Sequence, residues 1–313
     1  MTGVQTCALP ILSGLGPAGT EKTGGRGAPA PGGGPPAAER EAAETGAAAA
    51  EIRPLVLWEN DDFLVLDKPR GTLVHGSGGL DGPVRRYLLP RLPPSLAFAP
   101  GPLHRLDRNT TGVLFFAKSI GGARLFSRAL REGRTRKTYI ALVEGDLRGT
   151  AVWEDTLRRD EKSRVTRPSP AAPPGTEGGP PASGKTARSA ARPLLRGKGL
   201  TLCEIVIGTG RTHQIRAQAA AHGHPLAGDV KYGGKPFPGG YFLHAREYRE
   251  LGGAAGLRDD SAAGDGSAPP RGRTGTAPGA VTARAPLPDE FRRAAARIFG
   301  PAAVAGIFGP PGA

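Results

Sequence analysis

The feature of this sequence that most limits its fold is where glycine and proline lie. Of 313 residues, 49 are Gly and 32 are Pro, and they crowd into three stretches, 12–50, 168–184 and 252–280, where large apolar side chains are scarce. Such segments bury too little surface to offset the entropy of ordering a chain. A core must be built from the remainder, roughly 52–167, 185–251 and 282–299. The expected layout is a disordered linker over 12–50, one domain over 52–299 with low-complexity insertions at 168–184 and 252–280, and a tail over 300–313.

Residues 1–11, MTGVQTCALPI, stand apart. They read as the conceptual translation of a common short-read sequencing adapter, with GTG taken as a start codon. A signal peptide is the alternative, but the stretch lacks a basic n-region and sufficient apolar length. On this reading residues 1–11 are an assembly artefact, Cys7 carries no biology, and the gene can begin further upstream. The other cysteine, Cys203, lies in the strand-like LTLCEIVIG and is expected to be a small core residue. The two cysteines form neither a metal pattern nor a disulfide framework, which fits a reducing cytoplasm. No apolar run approaches the roughly 18–20 residues that a membrane span needs. Lys and Arg number 42 against 28 Asp and Glu, a formal charge of +14. That excess points to a polyanionic partner, nucleic acid first, although a high-GC genome also inflates Arg, Ala, Gly and Pro.

The ordered stretches carry alternating and helical patterns. LVLWENDDFLVLDKPRG reads as strand, Asn-Asp-Asp turn, strand and stop, which is a hairpin. VLFFAKS, after Gly112, reads as a buried strand. Ile120 to Arg131 places Ala123, Phe126 and Leu130 at three- and four-residue spacing, which predicts an amphipathic helix. KTYIALVEG predicts a strand whose Lys137 and Tyr139 share a face. ARPLLRGKGLTLCEIVIGTG predicts two strands, RTHQIRAQAAAHGH a helix entered from a strand, and YFLHAREYRE another strand. APLPDEFRRAAARIFG predicts a terminal helix, with Asp289 near its start where the helix dipole favours negative charge. Strands and helices mix without a βαβ rhythm, so the predicted class is α+β rather than doubly wound.

Polar residues of unusual density interrupt this pattern. LHRLDRNTTG, Leu103 to Gly112, sets Asp107 between Arg105 and Arg108 at the entrance of a strand. Alone, the stretch reads first as a salt-bridged loop. TGRTHQIR then brings Arg211, His213, Gln214 and Arg216 to a strand-to-helix junction. An arginine within a few ångströms of a carboxylate favours its charged form, and chemistry alone would choose Arg211 for that partner. RTRKTYIALVEG adds Tyr139 beside three cations. Together these segments offer an ionised Asp, an Arg partner and an aromatic wall in a basic groove.

HRLDRNTTG, KTYIALVEG and GRTHQIRAQAAAHGHPLAGDVKYGG resemble the signature segments of the RluA family of pseudouridine synthases. DDFLVLDKPRGTLVH resembles the family's opening hairpin, and LHA at Leu243–Ala245 and APLP at Ala285–Pro288 its closing segments, all in order. The resemblance implies a mixed, largely antiparallel sheet with a central cleft, flanked by helices and loops. It implies conversion of uridine to pseudouridine in RNA, large-subunit ribosomal RNA first and transfer RNA second. Asp107 matches the family's catalytic aspartate, and Arg105 the arginine that fills the gap left by a flipped-out uridine. Tyr139 matches the tyrosine that stacks on the base and has been assigned a part in proton removal. Arg216, not Arg211, matches the salt-bridge partner of the aspartate. His104, Arg108, Thr111, Arg211, His213 and Gln214 are expected around them as RNA-binding and base-flipping residues. Thr111 stands where the family more often has Ser, and the hydroxyl is kept.

The implied reaction suits these residue types. Uridine must be detached at N1, turned and rejoined through C5, so the nucleotide has to leave its stack. The aspartate must be ionised to attack the sugar or remove its proton. No redox step and no external group enters, so no cofactor and no metal is expected, and RNA is the expected partner of a monomer. His222, His224 and Asp229 raise a metal site, but the two histidines are too close in sequence and lack further ligands. His104 and His213 are expected in structural or substrate-positioning hydrogen bonds rather than as bases. Lys68 and Lys231 suit phosphate contacts or plain solvation equally, and the arginines of 124–136 suit tracking of an RNA backbone. Two rivals remain at this stage. A non-catalytic RNA-binding protein of the same fold would not need Asp107, Tyr139 and Arg216. A metal-dependent nuclease would need a carboxylate cluster near the motifs. No N-terminal domain of the S4 type is visible, and truncation at the adapter-like segment would account for that.

Overall fold

The expected hairpin, β1 (Val56–Glu59) and β2 (Phe63–Lys68), opens a single open sheet in the computed structural model, which describes residues 37–168, 184–250 and 281–310. The adapter-like residues 1–11, the linker up to residue 36, and most of both insertions lie outside the described residues. Further strands are β3 (Gly101–Pro102), β4 (Thr111–Ala117), β5 (Thr135–Glu144), β6 (Ala151–Asp160), β7 (Val165–Pro168), β8 (Lys185–Gly197), β9 (Leu200–Ile207), β10 (Leu243–Glu250) and β11 (Thr282–Arg284). Helices are α1 (Ala37–Ile52), α2 (Asp81–Leu88), α3 (Ile120–Arg131), α4 (Gln214–Ala221), α5 (Asp289–Phe299) and α6 (Pro301–Phe308). The strand order is β1-β2-β4-β10-β5-β9-β8-β6-β7, with β3 on β4 and β11 on β10. Among the described strands, the pairing of β4 with β10 is parallel and the others are antiparallel. The fold is α+β with a mixed, mostly antiparallel sheet, as expected.

Strand alternation divides the core between the two faces of the sheet. On one face Leu64, Leu66, Leu114, Phe116, Tyr139, Ala141, Cys203 and Ile205 pack against Val84 and Leu88 of α2 and Ile215 of α4. Cys203 is therefore the small core residue that its strand pattern predicts. On the other face Phe63, Val65, Val113 and Phe115 meet Phe126 of α3, and Ile140 and Leu142 meet Phe291 of α5. Ser119 caps α3, its hydroxyl oxygen accepting from the Gly122 amide at 2.9 Å.

Two expectations at the chain ends need correction. The linker does not run to residue 50, because α1 begins at Ala37 and is followed closely by β1. Its low-complexity reading missed that alanine-rich segments form helix at little entropic cost. Ala48 and Ile52 of α1 are 2% and 0% exposed and join the core beside Leu88. The expected tail contains α6, which starts with Pro301 at its first turn, and Val304 of α6 is 1% exposed.

The parallel junction fixes the centre of the molecule. Gly112 of β4 lies opposite Ala245 of β10, and Ala245 lies opposite Tyr139 of β5. A Cβ on Gly112 would sit 2.2 Å from the Ala245 carbonyl oxygen, and its φ is +106°, so glycine is required twice over. His244 Nδ1 shares a 2.9 Å hydrogen bond with the Thr111 hydroxyl, locking the same junction. His104 Nε2 accepts the Phe115 amide at 3.2 Å, and its ring stacks on Phe126. Burial pushes both imidazoles down to about 3, and for His104 the nearby Lys137 charge adds to the effect.

Removing residues 1–50, compared with removing 1–36, should lower the melting temperature by about 5 °C, since Ala48 and the helical anchor of Ile52 together supply about 2 kcal/mol. Calorimetry of both truncations checks this, and equal melting points would contradict it. The two histidines give a pH dependence of definite sign. An unfolded histidine binds a proton below about pH 6.5 while the folded one refuses it, so stability is complete above that pH and falls as pH drops. Each should remove up to about 1.4 kcal/mol per pH unit. Urea unfolding between pH 7 and 5 should show the loss, and His244→Asn should flatten it. A wild-type stability independent of pH over this window would contradict the account.

Candidate active site

The loop from Leu103 to Thr110, leading into β4, is held from beneath by Lys68. This side chain is 0% exposed, and its ammonium donates to the carbonyls of Pro69, Arg108 and Thr110 at 2.9, 3.0 and 2.9 Å. Burial pushes Lys68 down to about 8, against the raising effect of the Asp107 charge. The reading of Lys68 as a phosphate contact is thereby corrected: its donors are engaged inside the protein. Arg108 Nε donates to the Gly71 carbonyl at 2.9 Å, and the Thr110 amide closes a turn on the Asp107 carbonyl at 3.0 Å. The loop thus presents Asp107 upward at the mouth of β4.

Opposite it, α4 starts abruptly. His213 occupies the left-handed region at φ 54°, and Gln214 fastens the turn around it. The Gln214 side-chain oxygen accepts from the Thr209 hydroxyl at 2.8 Å and the Arg211 amide at 3.1 Å. Its amide nitrogen donates to the Arg188 carbonyl and to Ser189 Oγ, both at 3.1 Å. The turn points Arg216, in the first turn of α4, back toward the motif loop.

Arg216 is 6% exposed and held by two carboxylates. Asp229 takes Nε and a terminal nitrogen at 2.7 and 2.8 Å, a bidentate fork, while the other terminal nitrogen donates to Asp107 Oδ2 at 3.0 Å. The rings of Tyr241 and Tyr232 lie 4.5 and 4.9 Å from the guanidinium carbon. Burial alone would lower the Arg216 value; hydrogen bonding to Asp229 and the surrounding negative groups outweigh it and raise it above the ordinary arginine value. Asp107 Oδ1 has no hydrogen-bond partner among the described residues, and His213 Nε2 stands 3.6 Å from it, outside hydrogen-bond reach. His213 Nδ1 shares a 2.7 Å hydrogen bond with the Tyr232 hydroxyl. Burial pulls this imidazole below the usual histidine value, with Asp107 acting in the opposite sense.

A cavity of roughly 420 Å³ opens over these groups, lined by Arg105, Asp107, Lys137, Tyr139, Arg211 and Arg216 among others. Lys137 and Tyr139 do share one face of β5, and both look into the cavity. Burial and the Asp107 charge push the Tyr139 phenol well above its usual value, so it is a neutral phenol rather than a phenolate base. Arg105 is exposed at the cavity edge. Arg211 borders the cavity, but its Nε donates to the Thr186 carbonyl at 3.1 Å.

The remaining expected RNA-binding residues separate by environment. Thr111 is 5% exposed and bonded to His244, and Gln214 is 3% exposed, so both shape the site from inside and neither presents a free polar group. His104 reaches the cavity wall, yet its ring is fixed between Phe115 and Phe126. Arg124, Arg128 and Arg131 are exposed on α3, whereas Arg134 is engaged by Glu132 and Glu250. Lys231 is exposed in a short turn. The three candidate metal ligands diverge: His222 faces Asp155 at 3.2 Å, His224 bonds the Glu144 carbonyl at 2.9 Å, and Asp229 holds Arg216. Sequence reasoning missed the role of Asp229, and with it Tyr232 and Tyr241. The signal available was a lone acid in a glycine-flanked turn, AGDVKYGG, shortly after the arginine helix.

The chain is similar to known proteins. The chain is 33% identical over 210 residues to ribosomal large subunit pseudouridine synthase C of Vibrio vulnificus, covering 64% of this chain and 62% of that protein. It is 38% identical over 188 residues to ribosomal large subunit pseudouridine synthase D of Nitrosomonas europaea, covering 59% of this chain and 51% of that protein. The chain therefore spans between half and two thirds of the length of these curated relatives. The solved structure of human RNA pseudouridylate synthase domain containing 4 superposes with a TM-score of 0.60 at 19% identity, covering 82% of this chain and 96% of that one, which supports the fold. The family model described as RNA pseudouridylate synthase matches residues 62–221, just over half of the chain, and the chain belongs to that family.

Proposed function

We propose that this protein isomerises uridine to pseudouridine in RNA, with large-subunit ribosomal RNA as its substrate and the cytoplasm as its place of work. The observation that carries the reading is the division of labour at Asp107: Oδ2 is held by Arg216, and Oδ1 is left without a hydrogen-bond partner among the described residues, in a cavity walled by Tyr139. A carboxylate so placed has one oxygen for orientation and one for chemistry. Oδ1 either attacks C1′, with N1 of uracil leaving with the bonding electrons, or removes the 2′ proton to the same end. The freed uracil turns and C5 bonds to C1′, displacing the Asp107 carboxylate on the first route or with return of the proton to C2′ on the second; C5 then loses its proton to solvent and N1 takes one up. The neutral Tyr139 ring supplies a face for the base while it turns. Arg105, exposed at the rim, suits the gap left in the RNA. Removing a uridine from its stack costs a few kcal/mol, which contacts between cationic side chains and phosphates offset. The substrate reading is supported by the two relatives, both of which are named for the large ribosomal subunit.

Asp107→Asn should abolish pseudouridine formation, measured by tritium release from uridine-labelled RNA, while RNA affinity changes by less than about threefold, because size is kept and charge is lost. Activity within tenfold of wild type would refute the assignment. Asp229 touches Arg216 from the side away from Asp107, so Asp229→Asn tests positioning alone. It should lower kcat by about 10–100-fold through misdirection of Asp107, with RNA affinity kept. Arg216→Met should be more severe, destabilising by about 3–5 kcal/mol as buried carboxylates lose their partner. If Arg211→Met is the more damaging in kcat, the carboxylate partner has been misassigned.

A further inference from the structure

Among the described residues two lysines are deeply buried, and the protein treats them in opposite ways. Lys68 has all its donors on backbone carbonyls. Lys137 is 7% exposed and lines the active cavity, yet its ammonium has neither a hydrogen-bond acceptor nor a carboxylate at ion-pair distance among the described residues. Its tip lies against bare backbone, 3.3 Å from where a Cβ of Gly210 would be. Burial pushes it down to about 8 with nothing raising it. The stem of Lys137 is buried but its ammonium is not among the sealed-off polar atoms, so a fold that pairs Lys68 fully leaves the Lys137 charge open toward the cavity.

The charge of the cavity says what is missing. Arg105, Lys137, Arg211 and Arg216 line it, and the carboxylate among its lining residues, Asp107, is already bonded to Arg216. Lys137 sits two residues before Tyr139 on the same face of β5, so their backbones are about 6.6 Å apart. A base held against Tyr139 therefore has its own sugar-phosphate chain within reach of Lys137. A neutral uracil carbonyl would not balance the charge of Lys137, whereas a phosphodiester cancels it.

We propose that Lys137 seats an RNA backbone phosphodiester adjacent to the target uridine. The proposal rests on the reading of this cavity as the uridine site, and it adds a specific phosphate contact inside the cavity to the diffuse attraction of the basic surface. It makes Lys137 a binding residue whose effect is on engagement of the flipped nucleotide.

The test compares wild type, Lys137→Met, Lys137→Gln and Lys137→Arg on unmodified, transcribed bacterial large-subunit ribosomal RNA. Loss of one phosphate contact should weaken binding about tenfold at low salt and reduce the slope of log K against log salt by about 0.7–0.9. Lys137→Arg should restore the slope. Both neutral variants should melt close to wild type, since the ammonium has no protein partner to lose among the described residues, and the loss of activity should fall on KM. Methylphosphonate substitutions around the modified uridine, made in a synthetic stem-loop, should include one position that weakens wild type and leaves Lys137→Met unaffected. An unchanged salt slope in the neutral variants would overturn the proposal. So would a loss confined to kcat, which would place Lys137 on uracil, or additive effects at every methylphosphonate position. Failure of wild type to form pseudouridine refutes the functional reading instead, and the salt slopes still decide whether Lys137 meets a phosphate.

Discussion

Everything in the candidate cavity depends on the three-way contact in which Arg216 is clamped by Asp229 and offers its remaining nitrogen to Asp107. The clamp is bidentate and buried, so the guanidinium plane has one orientation. Two tyrosine rings close on it. One arginine between two carboxylates leaves the group with a net negative charge, which stability alone does not favour in a low-dielectric site. A hydrophobic cluster of the same volume would be easier to bury. The arrangement makes sense as a device that brings one carboxylate oxygen to the cavity and holds it there.

The backbone converges on the same point. Gly112, Ala245 and Tyr139 are neighbours across β4, β10 and β5, so the end of the aspartate loop and the aromatic wall are set side by side by the sheet itself. Gly112 allows that approach, His244 pins it through Thr111, and Lys68 ties the loop down from the core. His244 and Lys68 commit polar groups deep inside the protein to partners within it. The site is thus rigid on three sides: a loop on its anchor, a strand in the sheet, and a helix whose first turn is fastened by Gln214. The open side carries the cationic residues, with Arg105 exposed and Lys137 unpaired among the described residues, where a polyanion can complete them.

Much of this was legible in the sequence, for reasons that differ between elements. The hairpin of β1 and β2, α3 and β5 follow from local periodicity, and local periodicity places them correctly. The meeting of Asp107 with Arg216 does not follow from it: the two are separated by 109 positions, and chemistry alone favoured Arg211. The resemblance of the motifs to a family chose Arg216, and the geometry agrees. Composition misled at α1 and α6, where alanine-rich stretches were read as linker and tail although Ala48 and Val304 reach buried positions. Residue type misled at Lys68, Thr111 and Gln214, because a polar side chain in a motif can serve the fold from within as readily as it serves a ligand. The clamping role of Asp229, considered from the sequence only as a metal ligand, is not legible there because its partner is set by the packing of α4 against the turn that follows it.

The central claim is geometric: a uridine enters the cavity with its C1′ facing the free oxygen of Asp107. A crystal structure with a stem-loop of large-subunit ribosomal RNA bearing 5-fluorouridine at the modified position tests it most directly, since fluorine at C5 blocks the final proton loss. The account predicts the nucleotide out of its stack, its base against Tyr139, its C1′ within contact of Asp107 Oδ1, and Oδ2 still on Arg216. A base bound elsewhere, or Asp107 turned away from the sugar with Arg216 detached, would contradict it.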